Sequence, residues 1–379
     1  MDNILVKKVI TFKSGQFVFS RLYDQQALEK LFLEARVLKE TVADLPVLPW
    51  LASKLEEETI RRSIHSTAAL EGNPLTEEQV GRVVGQDDQV GAASQAEQEI
   101  YNLKLAYHVC RSLIIEGPFR RLDEDLIRDF HKFITTDIQH PHNTPGKYRD
   151  HLVKVGNQDH GGVYTPPKIL ADIKTLMKEF ITWINSDELL AEEPIVRAAL
   201  AHFHLAKIHP FSDGNGRTAR LVEALCLQAH GLGHVPVMLS NYYYRHPDDY
   251  YWAFSRAERN PQHDVTPFVQ FVLQAFIAAL YEIKDRMTSA IRQFALREHV
   301  ARLRQAKQLT QRQLSLLTLL LDSSLTFSLP DLFHEPKLAI LYRGVSERTA
   351  RRDLERLLGQ RLIQKDGQGR YRLNDKALG

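Results

Sequence analysis

Apolar residues along this chain recur mostly three and four positions apart, the spacing that lines one face of a helix. In residues 193–208, Pro194 stands at a first helical position and Ile195, Ala199, Phe203 and Ala206 share a face. The run must stop at His209, because the residue before Pro210 is pushed out of helical backbone. Helical spacing resumes through Leu221, Val222, Leu225, Cys226 and Ala229, with Gly231 closing it. Residues 25–38 read as a helix ending before Pro46, and residues 97–113 and 123–135 repeat the pattern through Ile100, Leu103, Ala106, Tyr107 and Cys110, then Leu126, Ile127, Phe130 and Ile134. Ser53-Lys-Leu-Glu56 has the form of a capping box; Leu55, Ile60, Ile64 and Ala68 follow until Gly72-Asn73-Pro74 stops the helix. A long connector over 267–306 carries Phe268, Phe271, Val272, Phe276, Leu280 and Ile283.

Period-two alternation is rarer. Ile10-Thr-Phe12 and Gln16-Phe-Val-Phe19 flank Ser14-Gly15 as a small hairpin, and residues 146–167 turn at Gly156-Asn157 and Gly161-Gly162 like a second, short one. Near the C-terminus, Thr310-Gln-Arg-Gln313 caps one helix, Ser328 opens a second, short one, and residues 346–358 form a third, closed by Gly359. Its Ala350, Leu354, Leu357 and Leu358 turn inward, leaving Arg348, Arg351, Arg352 and Arg356 outward; Leu362-Ile363, the Asp366-Gly367 turn, Tyr371 and Leu373 complete a hairpin. The expectation is a mainly α protein: an extension over 1–50, a helical core over 51–290 that includes the helix 53–72, a linker over 291–307 and a separate module over 308–379.

Composition narrows the class. The 379 residues are 44% hydrophobic with a formal charge of +2, which argues against a globally basic nucleic-acid binder but leaves room for a local basic patch. No run of eighteen apolar residues or signal-peptide core is seen, so no membrane partner is expected. Cys110 and Cys226 lie far apart on apolar helical stretches, which fits a cytoplasmic setting without a disulfide framework.

The chemistry concentrates in His209-Pro-Phe-Ser-Asp-Gly-Asn-Gly-Arg-Thr-Ala-Arg220. A glycine-rich turn entering a helix lets backbone N–H groups converge on an anion, and the helix dipole adds positive potential there. Arg217 and Arg220 sit in the first turn, where cations oppose the dipole unless an anion joins them. Asp213 suits Mg²⁺ bridging polyphosphate oxygens, and His209 suits a general base. At the other helix, Glu71 is a carboxylate at a C-terminal end, equally misplaced against its dipole, so it suits Arg217 or Arg220; a solvated glutamate at a frayed end is the alternative. His131, His140 and His142 lack partners at zinc spacing and read as surface or capping residues. His202 and His204, two apart on a helix, diverge and share no ion.

At residues 209–220 the sequence resembles the Fic family of adenylyltransferases, whose signature is His-Pro-Phe-x-(Asp/Glu)-Gly-Asn-Gly-Arg-x-x-Arg; every specified position matches. Thr67-Ala-Ala-Leu-Glu71-Gly72 resembles the inhibitory motif (Ser/Thr)-x-x-x-Glu-(Gly/Asn) of that family. The resemblance implies a Fic-type helical core with a hairpin flap, and transfer of AMP from ATP to a hydroxyl of a target protein or of the enzyme itself. It makes His209 the base, Asp213 the Mg²⁺ ligand, Gly214, Asn215 and Gly216 the phosphate cradle, and Arg217 and Arg220 the holders of the outer phosphates. Glu71 would pair with Arg220 and keep the γ-phosphate from docking. Val163, Tyr164 and Thr165 resemble the flap edge that registers the target, against the plainer reading of a surface hairpin. Tyr250 and Tyr251 resemble the pair near adenine, although tyrosines at this spacing also suit a core. The polar stretch 258–263 is longer than in relatives, which puts Asn260 in doubt as a base contact. Some enzymes of this kind remove AMP or move other phosphate groups. The last module resembles a winged helix-turn-helix that would contact DNA, a second copy or a target, so a DNA-binding regulator whose Fic domain senses nucleotide is the competing function.

Overall fold

A computed structural model describes residues 5–46, 49–86, 91–115, 121–228, 235–323, 325–374 and 376, and within them the chain is mainly helical with three two-stranded hairpins. Ala229 and Gly231 lie outside the described residues. Two compact units divide the chain: Met1–Asp44 with Pro49–Ile283, and Lys284–Gly379 with Leu45–Leu48.

In the first unit, β1 (Val6–Ile10) pairs antiparallel with β2 (Gln16–Ser20), Lys8 opposite Val18. Their turn is held by Asp172, a buried carboxylate that accepts from the N–H groups of Phe12, Lys13 and Ser14 and from the Ser14 hydroxyl. Helix α1 (Gln25–Ala43) is capped by Asp24 and runs beyond the end expected at Leu38. Helix α2 (Pro49–Ala69) starts ahead of Ser53, so the Ser53–Glu56 pattern lies inside a helix rather than at its start. A Schellman turn ends α2: Gly72 takes φ +88°, its N–H reaches Ala69 O, and Asn73 N–H reaches Ala68 O. Thr76 and Gln79 form a capping box on α3 (Glu77–Gly85). Then come α4 (Gln95–Ile115) and α5 (Glu124–Thr135), the latter capped by Asp123.

The second hairpin is short, as its alternation suggests. Only β3 (Val155–Asn157) and β4 (Gly162–Tyr164) pair, with Gly156 opposite Val163. After α6 (Leu170–Ile184) and α7 (Asp187–Leu190), helix α8 (Pro194–Ile208) passes through the middle of the unit. Its sequence promised one apolar face; instead nearly every residue is buried, because α6 and α9 (Asn215–Gln228) pack along it and aromatic side chains close the remaining sides. Phe203 meets Phe254 and Phe268, while His204 lies between Phe19 and Trp183. Helices α10 (Val235–Arg245), α11 (Pro247–Glu258) and the first part of α12 (Thr266–Gln305) complete the unit. One window of α12 reaches a mean hydropathy of 1.4, as a membrane span would, yet 61% of it is buried and Phe268, Val272, Phe276 and Leu280 are core residues.

The division between units falls inside α12, upstream of the 291–307 linker expected from sequence. In the second unit, Thr310 and Gln313 form the expected capping box on α13 (Gln311–Asp322). The short helix expected after Ser328 is α14 (Asp331–His334), which starts after Pro330 while Ser328 N–H donates to Asp331, and α15 (Pro336–Tyr342) follows. Ser346 caps α16 (Glu347–Gly359), which buries Ala350, Leu354 and Leu357 and leaves Arg348, Arg351, Arg352 and Arg356 exposed. Strands β5 (Ile363–Lys365) and β6 (Tyr371–Leu373) form the hairpin, and Tyr371 bridges to Phe327.

Candidate active site

Proline sets the site's first feature. With Pro210 next, α8 ends at His209, which adopts the left-handed conformation (φ 51°, ψ 58°) that non-glycine residues seldom hold. This turn swings the chain back so that residues 210–214 form the loop into α9. Asn215 fixes the loop's shape: its Oδ1 accepts from Phe211 N–H and its Nδ2 donates to Phe211 O, each at 2.9 Å. The cradle expected at Gly214–Gly216 therefore has its asparagine side chain spent on the loop itself, and the Gly214 N–H hydrogen-bonds to the Asp213 carboxylate. Gly214 needs φ +70°, and a Cβ there would sit 2.9 Å from Thr135 Cγ2.

Helix α5 supplies a support that sequence reasoning placed at the surface. His131 is buried, stacks on Phe211 at 3.7 Å and 3°, accepts from Gly146 N–H at Nδ1, and donates from Nε2 to Asp213 O at 3.0 Å. Burial pushes its pKa down to about 4. Nothing in its spacing signalled this role. His140 and His142 are exposed, and among the described residues no three His, Cys, Asp or Glu side chains gather as a metal site.

His209 directs Nδ1 at Ala206 O, 3.3 Å away; a carbonyl only accepts, so Nδ1 carries the proton and Nε2 keeps its lone pair. Burial, with help from the Arg149 charge, pushes its pKa down to about 4. At physiological pH the ring is neutral and able to take a proton.

The charges converge at the start of α9. Arg220 Nη2 lies 2.6 Å from Glu71 Oε1, while Arg220 Nε donates to Thr67 Oγ1 at 2.7 Å and Nη2 reaches Thr67 O at 3.2 Å. Thr67 and Glu71, one helical turn apart, thus grip one guanidinium. Glu71 also presses on Gly216, since a Cβ there would collide with Oε1. The carboxylate sits where the opening turn of α9 leaves N–H groups without intrahelical partners. Loss of water raises the Glu71 carboxyl, but Arg220 and Arg217 outweigh it and hold the group below the usual carboxylate range. The choice left open by sequence, Arg217 or Arg220, resolves to Arg220.

Arg217 is buried and instead pairs with Asp213 at 2.8 Å, with Glu99 on α4 at 3.9 Å. Glu99 accepts from Asn73 Nδ2 at 2.9 Å, linking the turn after Glu71 to the Arg217–Asp213 pair. Burial raises the Asp213 carboxyl and the Arg217 charge more than offsets it, so Asp213 stays ionised with a partly exposed side chain. Glu99 did not stand out in the sequence, being one polar residue without motif context, and Asn73 was read only as part of the helix stop.

The hairpin lies beside His209. Tyr164 turns its hydroxyl inward to Lys207 O at 2.6 Å, whereas Val163 and Thr165 are exposed. The two tyrosines part ways. Tyr250 is buried, stacks on Tyr243 at 5.1 Å, and shares its hydroxyl with His202 Nε2 at 2.9 Å. Tyr251 is exposed and reaches Leu70 O at 3.4 Å, beside Glu71. His202 also meets Glu223, and His204 turns to Ser20, so the two histidines do diverge. A cavity of about 280 Å³ opens between the hairpin and α11, lined by Tyr251, Phe254, Asn157, Ser255 and Glu258 among others. Asn260 lies outside it, in a neighbouring cavity.

The site thus joins a neutral histidine, a helix start whose arginines hold carboxylates, and an exposed hairpin edge. The Fic/DOC family model matches residues 121–227. It is 29% identical over 252 residues to Protein adenylyltransferase Fic of Aedes aegypti, covering 66% of this chain and 46% of that protein. Against Protein adenylyltransferase Fic of Nematostella vectensis the identity is 29% over 251 residues, 66% of this chain and 53% of the relative. The chain spans about half the length of the curated relatives it matches. Among solved structures, a Fic family protein from Desulfovibrio desulfuricans G20 superposes with a TM-score of 0.55 at 23% identity over 92% of this chain and 95% of its own. Fic-1 of Caenorhabditis elegans gives 0.56 at 22% over 70% and 74%. At these identities the structural likeness concerns the fold alone.

Proposed function

We propose that this protein transfers AMP from ATP to a hydroxyl of a protein side chain, its own or a target's, and that Glu71 holds the reaction back. The observation that carries the reading is Glu71 itself: a carboxylate at the start of α9, paired with Arg220, stands in for an anion that the site is built to receive. A triphosphate carries more charge than a carboxylate and would use the same donors. The backbone from Gly214 to Gly216 cradles the inner phosphates, and Arg217 and Arg220 take the outer ones. His209 Nε2 accepts the hydroxyl proton; the oxygen bonds to the α-phosphorus and pyrophosphate leaves. Asp213 supplies the one carboxylate that Mg²⁺ commonly takes from protein when phosphates provide other ligands, and the ion would neutralise charge on the departing pyrophosphate. Tyr251 and the cavity beside it suit the base better than buried Tyr250, and Val163 and Thr165 offer the hairpin edge to a target strand.

With α-labelled ATP, Glu71→Gly should raise label on protein by about tenfold or more, the factor that ~1.4 kcal/mol carries, once Arg220 is released. Adding His209→Ala should cut transfer ~10²- to 10⁴-fold, the usual worth of a general base. Equal labelling by wild type and Glu71→Gly would refute the inhibitory role; γ-label rather than α-label on protein would point to phosphate transfer instead.

A second reading concerns the last unit. The cap at Ser346, the buried side of α16 and the following hairpin support a winged helix-turn-helix, and the exposed Arg348, Arg352 and Arg356 suit phosphate or base contacts. Binding of the full chain to duplex DNA should then weaken steeply with salt and drop in an Arg348→Ala/Arg352→Ala variant; no binding at low salt would leave a protein as the occupant.

A further inference from the structure

Arg149 is among the largest fully buried side chains of the protein, with 1% of its surface exposed. A guanidinium so placed has lost its water and needs compensation. Among the described residues no carboxylate pairs with it; three backbone carbonyls supply the compensation. Nε donates to His209 O at 2.8 Å, Nη1 to His151 O at 2.7 Å, and Nη2 to Pro167 O at 2.8 Å. The residue's own N–H donates to Pro210 O at 2.9 Å.

These acceptors belong to different parts of the site. His151 and Pro167 lie on the two legs of the hairpin segment, before β3 and after β4. His209 and Pro210 supply successive carbonyls at the turn where the chain takes its left-handed conformation. One planar side chain with fixed donor directions therefore sets the distance between the hairpin legs and the orientation of the peptide planes that carry the His209 ring. A target registered on the hairpin edge would present its hydroxyl at a fixed place relative to His209 only if these parts keep one frame, and misplacement by about 1 Å is enough to cost large factors in rate.

We infer that Arg149 is a positioning residue for the transfer reaction, tying the target-registering hairpin to the His209 peptide through its carbonyl fork. The inference rests on the proposed adenylyl transfer for its catalytic meaning and on hydrogen bonding alone for its structural meaning. Lysine keeps the charge but offers one rotatable ammonium, so it cannot span three carbonyls in a plane.

The test uses the full chain in the Glu71→Gly background, with Arg149→Lys and Arg149→Met added singly. For self-labelling with α-labelled ATP, both variants should lower the maximal rate by at least about tenfold while the ATP concentration at half-maximal rate moves less than about threefold. Amide hydrogen exchange should quicken together in the 151–166 segment and at Phe211 and Ser212, with α4 and α12 unchanged. A rate within twofold of the parent, or a loss of ATP affinity in proportion to the rate, would overturn the inference. So would faster exchange at the hairpin alone. Should the Glu71→Gly parent transfer no label, the reading of function fails, while the exchange data still decide whether Arg149 couples the two parts.

Discussion

At the scale of single residues, the site is built less by side chains that face a ligand than by buried polar groups that shape backbone. Asn215 is the clearest case. Sequence assigns it to the phosphate cradle, yet Oδ1 and Nδ2 close a two-point ring on Phe211, and only 4% of the residue is exposed. Asn215→Asp tests the difference. Aspartate keeps the acceptor for Phe211 N–H but sets a second acceptor against Phe211 O, a buried repulsion with no donor to relieve it. The folded protein should lose ~2 kcal/mol or more at pH 7, read from denaturant midpoints. A cradle role exercised only through the side chain would leave stability unchanged and weaken nucleotide binding alone. His131 acts in the same indirect way, spending both ring nitrogens on Gly146 N–H and Asp213 O while it stacks on Phe211.

Among the elements, what the sequence made legible is what local rules govern. The end of α8 at His209 follows from Pro210, the Schellman turn from Gly72, and the start of α13 from Thr310 and Gln313; the structure has each of them. That Glu71 would meet an arginine of α9 was legible for a related reason, with Arg217 and Arg220 both open on that ground and Arg220 favoured by the family resemblance alone. Each charge opposed the dipole of its own helix, and only a partner of opposite sign could relieve it. Local rules failed where the decision belonged to neighbours. Ser53–Glu56 has every residue of a capping box, but α2 begins earlier and absorbs it. The alternation over 146–167 pointed to a short hairpin, which forms with strands of three residues each, but it did not show that Arg149 donates to His209 O. Tyr250 and Tyr251 are adjacent, so a helix sends them in different directions; one joins Tyr243 and His202 in the core while the other faces outward. Arg149, Glu99 and His131 had no signal at all, because burial of a lone polar side chain is set by what packs over it.

On the scale of the whole molecule, the first unit depends on keeping histidines uncharged. Burial pushes His131 to about 4 and His204 to about 3, and both are 1% exposed. In the unfolded chain each would titrate near ~6.5. Above that pH neither state binds the proton, so the stability contributed by these sites is fully present. As pH falls below ~6.5 the unfolded chain binds protons that the folded protein refuses, and stability is lost until the folded values are reached. Each pH unit within that window costs about 1.4 kcal/mol per histidine, so the pair alone removes up to roughly 4 kcal/mol between pH 6.5 and 5. Depressed carboxylates such as Glu71 and Asp213 continue the decline at lower pH, since they too are stabilised in their charged form by the fold. Urea unfolding at pH 7 and pH 5, followed by tryptophan fluorescence with Trp183 4.7 Å from the His204 ring, should show the midpoint fall. In a His131→Phe variant, which keeps a ring against Phe211 without a titrating group, the drop between those pH values should shrink by about a third, since His204 and His209 keep their depressed values. A midpoint equally sensitive to pH in both proteins would assign the acid lability to other groups.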